Sequence, residues 1–194
     1  MCSSDLGDAA NRACIDLYDR LLARHPRPDH RHRLEHASIL DPEMIADVKR
    51  LGLVISSQPL FIHSEKLWLH RRFGPQRAKW IYPFRSLLDA GVTLAGASDT
   101  PVESADVLHA IQCCVTREGF ETQERLSAAE AVRLYTVNAA FAQFEENLKG
   151  SITAGKRADF VVLDRNPVRV APDEISSLRV LTTIVGGNDI YSAE

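Results

Sequence analysis

GVTLAGASDTPV, residues 91–102, runs from a turn glycine, Gly91, through small and β-branched residues to the polar stop Ser98-Asp99-Thr100-Pro101. A short apolar run between turn signals reads as a strand covered on both faces, with a short buried helix as the other reading. If it is a strand, Asp99 stands at its C-terminal end, where α/β barrels place their chemistry. Asp before Thr-Pro also starts turns and caps helices, so the residue has two open roles at this point.

Working upstream, Pro83 to Ala90 reads as a helix with Leu87 and Leu88 inward, and Leu53 to Pro59 as a strand ending in polar residues. Between them, Leu60 to Tyr82 breaks the pattern and mixes aromatic, histidine and basic residues. A connection that long is usually a lid or a specificity loop. Asp41-Pro42-Glu43 signals a helix start, and the helix stops at Gly52. In the run Asp29 to Ala37, strand alternation puts His32, Leu34 and His36 on one face and Arg33 and Glu35 on the other. Gly7 to His25 forms an amphipathic helix with Ala10, Ala13, Cys14, Leu17, Leu21 and Leu22 as its apolar face. Helices alternating with strands imply a parallel sheet with crossover helices.

Downstream, Ala105 to Thr116 reads as a helix, Ser127 with Glu130 forms a capping box for a helix to Tyr135, and Asn138 to Phe144 continues helically. The texture then turns β-rich, with the stretch Ala158 to Asp164 and further strands expected at Val180 to Val185 and Asp189 to Tyr191. The expected division falls near Lys149, giving residues 1–149 and 150–194. A tail of that size must pair with other strands.

The chain has 194 residues, 45% of them hydrophobic and 25% charged, with a net charge of -3. That balance describes a folded globular protein and gives no reason to expect nucleic acid or an anionic membrane as partner. No apolar run approaches the roughly 20 residues of a membrane span, and a cytoplasmic location is expected. Cys2, Cys14, Cys113 and Cys114 contain no C-x-x-C pair, so free thiols are expected rather than a thiolate zinc site.

The chemistry-bearing pair is His36 and Asp99, each ending a strand that would open on the same mouth. A histidine nitrogen and a carboxylate oxygen are suitable zinc ligands, and a catalytic zinc keeps a position for water. The metal lowers that water's pKa to about 7, and a neighbouring carboxylate can carry its proton to a leaving group. The competing reading of His36 is a hydrogen-bonded structural histidine at a strand end.

Three runs bear on this: RHRLEHASILDPEMIADVKRLGLVISSQP (31–59), FGPQRAKWIYPFRSLLDAGVTLAGASDTPV (73–102) and KGSITAGKRADFVVLDRNP (149–167). In this order they resemble the amidohydrolase superfamily, in the YtcJ-like branch called amidohydrolase family 3. The resemblance implies the C-terminal part of a (β/α)8 TIM barrel, strands 6–8 with their helices, followed by strands of a β-sandwich. It implies a metal-dependent hydrolase of carbon–nitrogen bonds of the amide type, working through metal-bound hydroxide, with a divalent metal, zinc, as cofactor and a small molecule as substrate. His36 matches the metal histidine of the sixth barrel strand. Asp99 matches the eighth-strand aspartate, at once metal ligand and general base.

The resemblance also exposes departures. The fifth-strand metal histidine should fall at Ser4, and the first-strand His-x-His pair and the fourth-strand ligand have no counterpart here. MCSSDL resembles a translated library adapter, so the expectation is a C-terminal piece with an artefactual start. Weaker candidates for substrate contact are Gln58, Arg77, Trp80, Thr100 and Glu103, each with a structural alternative. His63, His70 and His109 are read as surface or core histidines, and Glu35 as an arginine partner. The rival expectations are an inert fragment, whose unpaired edges favour a homo-oligomer, and isomerase or deaminase chemistry on the same scaffold.

Overall fold

Two sheets organise the computed structural model, which describes residues 2–5, by their backbone alone, and residues 7–193. The first is a parallel sheet in the order β1 (Cys2–Asp5), β2 (Arg33–His36), β3 (Val54–Ser57) and β4 (Thr93–Gly96). The second is antiparallel and comprises β5 (Phe160–Leu163), β6 (Val180–Val185) and β7 (Asn188–Ser192). The GVTLAGASDTPV run therefore contains a strand, Thr93–Gly96, so the buried-helix reading falls away, and Asp99 lies three residues beyond the strand's end rather than on it.

Register gives the parallel sheet two distinct faces. Arg33, Val54 and Thr93 align across it, as do Leu34, Ile55 and Leu94. Leu34, Ile55 and Leu94 are at most 1% exposed and belong to the main core, beneath the helices. The opposite face carries Arg33, Glu35, Val54, Ser56 and Ala95. There Arg33 Nε donates to Glu35 Oε1 at 2.8 Å, the arginine pairing read for Glu35 from the sequence.

Helix α1 (Asp8–Arg24) returns from β1, and α2 (Pro42–Leu51) from β2. The side chain of Asp41 accepts from the Met44 N–H at 2.8 Å, and Gly52 closes α2 in the left-handed conformation. Helix α1 turns a different face inward from the one its apolar residues suggest. Asn11, Ile15 and Tyr18 are buried, while Leu17 is 48% exposed. The reason is polar: Asn11 Nδ2 donates to Ile39 O at 3.1 Å, and Tyr18 Oη donates to Arg33 O at 3.0 Å. Those two bonds fix the rotation of the helix against the ends of β2.

The segment expected to be an irregular lid is largely helix α3 (Phe61–Ala78), kinked at Gly74-Pro75. Its apolar residues follow no clean helical stripe, because it is held by ion pairs as well as by packing. Helix α4 (Phe84–Asp89) leads into β4, and α5 (Val107–Thr116), α6 (Ala128–Leu134) and α7 (Val137–Ala142) follow. Ser127 and Glu130 form the expected capping box. In the second sheet, Val185 pairs with Asn188 across Gly186-Gly187, both at positive φ, as a two-residue hairpin demands. Phe160, Val161, Ile190 and Tyr191 leave much of this sheet's apolar surface exposed.

A strand precedes α1, within the stretch expected to be foreign: β1 pairs in parallel with β2, Ser4 opposite Glu35. Met1, Leu6 and the side chain of Ser4 lie outside the described residues. Among the described residues no helix is long and apolar enough to cross a membrane.

Candidate active site at the C-terminal ends of the parallel strands

Parallel strands with crossover helices direct all their C-terminal ends to one rim, and there the sheet leaves its polar groups unsatisfied. Among the described residues, the buried side-chain atoms His36 Nδ1, Ser57 Oγ, Gln58 Oε1 and Asn11 Oδ1 lack a hydrogen-bond partner. His36 and Ser57 are the last residues of β2 and β3, and Gln58 follows β3 directly. Asn11 is bonded to Ile39 in the same turn. Buried polar groups are almost always paired, and an orphan costs roughly 1–3 kcal/mol. A cluster of such groups at one rim is a feature that a bound ligand would satisfy.

Backbone conformation singles out the same positions. His36 and Ala37 have φ of 66° and 46°, and Asp99 has φ of 62°. Non-glycine residues in the left-handed region are uncommon and gather at functional sites. At His36 this breaks the two-residue alternation, so the placement of its side chain with Leu34 no longer follows from the strand. Instead the His36 ring stands edge-on to Phe61, with centroids 6.3 Å apart.

Asp99 does not cap the next helix, as one sequence reading had it. Asp106 does that, accepting from the His109 N–H at 3.0 Å. The Asp99 carbonyl accepts from the Val102 N–H at 2.8 Å and closes a turn, while its carboxylate has no hydrogen bond or ion pair among the described residues. An unpartnered imidazole nitrogen and a free carboxylate at one rim are donor types that fit a divalent metal such as zinc.

The other sequence candidates fare unequally. Gln58 is 4% exposed with its carbonyl oxygen unsatisfied, so it stays at the site. Thr100 is engaged locally, its Oγ1 donating to Glu103 O at 3.1 Å, and the Glu103 carboxylate accepts from Ser64 of α3. Arg77 is ion-paired with Asp8 and lies over the Phe73 ring, and Trp80 packs against the core. Those contacts pin α3 across the rim rather than leaving either side chain free.

Two histidines set aside in the sequence, His63 and His109, meet Glu118 beside the lid. His63 Nδ1 lies 2.9 Å from Glu118 Oε1, His109 Nε2 lies 3.2 Å from the same oxygen, and Lys66 pairs with Glu118 Oε2. Their ligand atoms fall within 4.8 Å of one another, close enough to hold a metal. Burial pushes the Glu118 carboxyl up, but the bonds from Lys66, His63 and His109 outweigh it and hold it at about 2. With Lys66 already neutralising that charge, the cluster works as a latch between α3 and α5. Sequence separation of up to 55 residues hid it. The neighbouring thiols of Cys113 and Cys114 are pushed up by burial, Cys113 to about 12, which leaves them protonated and poor ligands.

Also unforeseen is a cavity of about 240 Å³ under α3, lined by Gly7, Ser38, Glu65, Trp68, Phe73 and Tyr82 among others. Tyr82 Oη donates to Glu65 Oε2 at 2.9 Å, and burial pushes the Glu65 carboxyl up.

Comparison with known proteins places this geometry. A profile described as Amidohydrolase family matches residues 1–191. YtcJ of Bacillus subtilis is 34% identical over 195 residues, covering 96% of this chain and 36% of that protein. The N-substituted formamide deformylase of Arthrobacter pascens is 35% identical over 189 residues, covering 94% and 34%. An uncharacterized metal-dependent hydrolase from Pyrococcus furiosus superposes with a TM-score of 0.77 at 32% identity, covering 87% of this chain and 34% of that one. The chain thus spans about a third of the length of the curated relatives it matches.

Proposed function

The chain belongs to the amidohydrolase family, and from that premise we propose that it supplies the His36–Asp99 part of a metal-dependent hydrolase site acting on non-peptide carbon–nitrogen bonds. The observation that carries this reading is the gathering of unsatisfied buried atoms at the ends of β2 and β3. We read β1–β4 as part of a (β/α)8 barrel and β5–β7 as part of a flanking sandwich, divided near Lys149. The parallel register and the crossover helices support that reading.

His36 and Asp99 would hold a divalent metal, zinc in this reading, which when bound supplies an acidified water as nucleophile near neutral pH. His36 offers Nδ1, the atom that finds no partner among the described residues. Asp99 is acceptor-only when ionised, so a carboxylate oxygen takes the proton from the attacking water and returns it to the leaving nitrogen. Gln58, buried with a free amide oxygen, accepts from a substrate N–H. The partner is a small molecule.

Two donors fall short of the three protein ligands of a catalytic zinc. That favours a second reading for this polypeptide by itself, a catalytically inert fragment. Hydrolysis of a panel of N-acyl amines by the product of the full coding sequence tests the proposal. Asp99→Asn is expected to lower turnover by about 10²–10⁴-fold, the usual contribution of a general base. Unchanged turnover in that variant would remove Asp99 from the chemistry.

A further inference from the structure

The hydrolytic reading gives the cavity under α3 no task. Its floor is Ser38, two residues beyond His36, and one wall is the α3 face carrying Glu65, Trp68 and Phe73. At about 240 Å³ it is slightly smaller than the roughly 300–1,000 Å³ of sites for drug-sized ligands. It therefore suits one arm of a substrate rather than all of it.

Its polar groups are few and incompletely satisfied. Ser38 is 6% exposed, and its side chain bonds to that of Tyr82. Glu65 receives one bond, from Tyr82 to Oε2, and makes no ion pair. Its other oxygen is free to accept. Arg72, which also lines the cavity, stacks over the Trp68 ring at 5.2 Å and makes no ion pair with Glu65 among the described residues, although its charge is felt there. A partly buried carboxylate with a free oxygen, lining the same cavity as an indole and a phenyl ring, favours positive charge beside an apolar body.

We propose that this cavity is a recognition subsite for a substrate arm that joins a protonated amine to an aromatic or aliphatic group, the amine seated on Glu65 and the body against Trp68 and Phe73. Its service to catalysis rests on the hydrolase reading, but the binding it describes does not. Ser38 supplies the remaining polar contact. Lys66 and His63, one residue and two residues from Glu65, are engaged with Glu118, so their charges do not fill the subsite.

The test uses the 194-residue chain without metal and two probes of matched shape, benzylammonium and benzyl alcohol. The Trp68 indole N–H signal is followed by NMR and assigned with Trp80→Phe. Benzylammonium is expected to shift this signal saturably and to bind at least tenfold more tightly than the alcohol. Glu65→Gln, which can keep the Tyr82 bond, is expected to erase that preference. His36→Ala is expected to leave it intact. Equal affinities in the wild type, the absence of a saturable shift, or a preference that survives Glu65→Gln would each overturn the proposal. Because no turnover is read, failure of the hydrolase reading would show in the Asp99→Asn assay and not here.

Discussion

Arg117 offers the sharpest energetic test of the framework that holds the rim. It is fully buried, and its guanidinium donates to Tyr82 O at 2.8 Å, Ile81 O at 3.1 Å and Phe120 O at 3.2 Å. Two of these carbonyls belong to the turn that lines the cavity under α3. Charge-assisted bonds contribute about 2 kcal/mol each, so three give about 6 kcal/mol. Burial opposes this by lowering the Arg117 pKa from 12.5 to about 10, a cost of about 3 kcal/mol at 1.36 kcal/mol per unit. The difference, about 3 kcal/mol, is the expected loss in Arg117→Met, where the carbonyls lose their donors and a side chain of similar length remains. With urea m-values of about 1–3 kcal/mol/M, the denaturation midpoint should fall by roughly 1–3 M. Arg117→Lys should recover part of the loss. A midpoint within about 0.3 M of the wild type for Arg117→Met would refute the reasoning.

Two further outcomes follow from the geometry. Glu118 is held below its ordinary value, so the stability it contributes is complete above about pH 4.5 and is lost as the pH falls towards about 2. The gap in unfolding free energy between the wild type and Glu118→Gln should then be at most about 3 kcal/mol at pH 6 and narrow across that window, and parallel curves in urea titrations would contradict it. At Gly96, the last residue of β4, an added Cβ would lie 2.6 Å from Cζ of the Tyr135 ring. Gly96→Ala should cost about 1–3 kcal/mol by overpacking and lower the melting temperature by several degrees, whereas an unchanged melt would mean the ring moves freely.

How much of this was legible in the sequence depended on whether the signal was local. Asp41 with Gly52, and Ser127 with Glu130, announced their helices because capping is decided within four residues or one helix length. The same holds for β4 and for the tail strands, whose apolar runs sit between turn residues. The inward face of α1 was misread because Asn11, a polar residue, is fully buried through a bond to Ile39, 28 positions away. Helix α3 was taken for a loop because its apolar residues keep no helical period and its anchors, Arg77 to Asp8 and Lys66 to Glu118, are distant in sequence. At the rim, His36 was legible as a strand-end residue, and Asp99 was assigned to a strand end that falls three residues earlier, at Gly96. Ser38, Glu65 and Tyr82 were not, since nothing in their spacing says that they share a cavity.

Zinc affinity of the 194-residue chain, measured by calorimetry at neutral pH, tests the central claim most directly, because two clusters compete for the ion. The account predicts that His36→Ala and Asp99→Asn each weaken binding by tenfold or more, while the double variant His63→Ala/His109→Ala leaves it unchanged. Binding that survives the first two substitutions and vanishes in the double variant would contradict it.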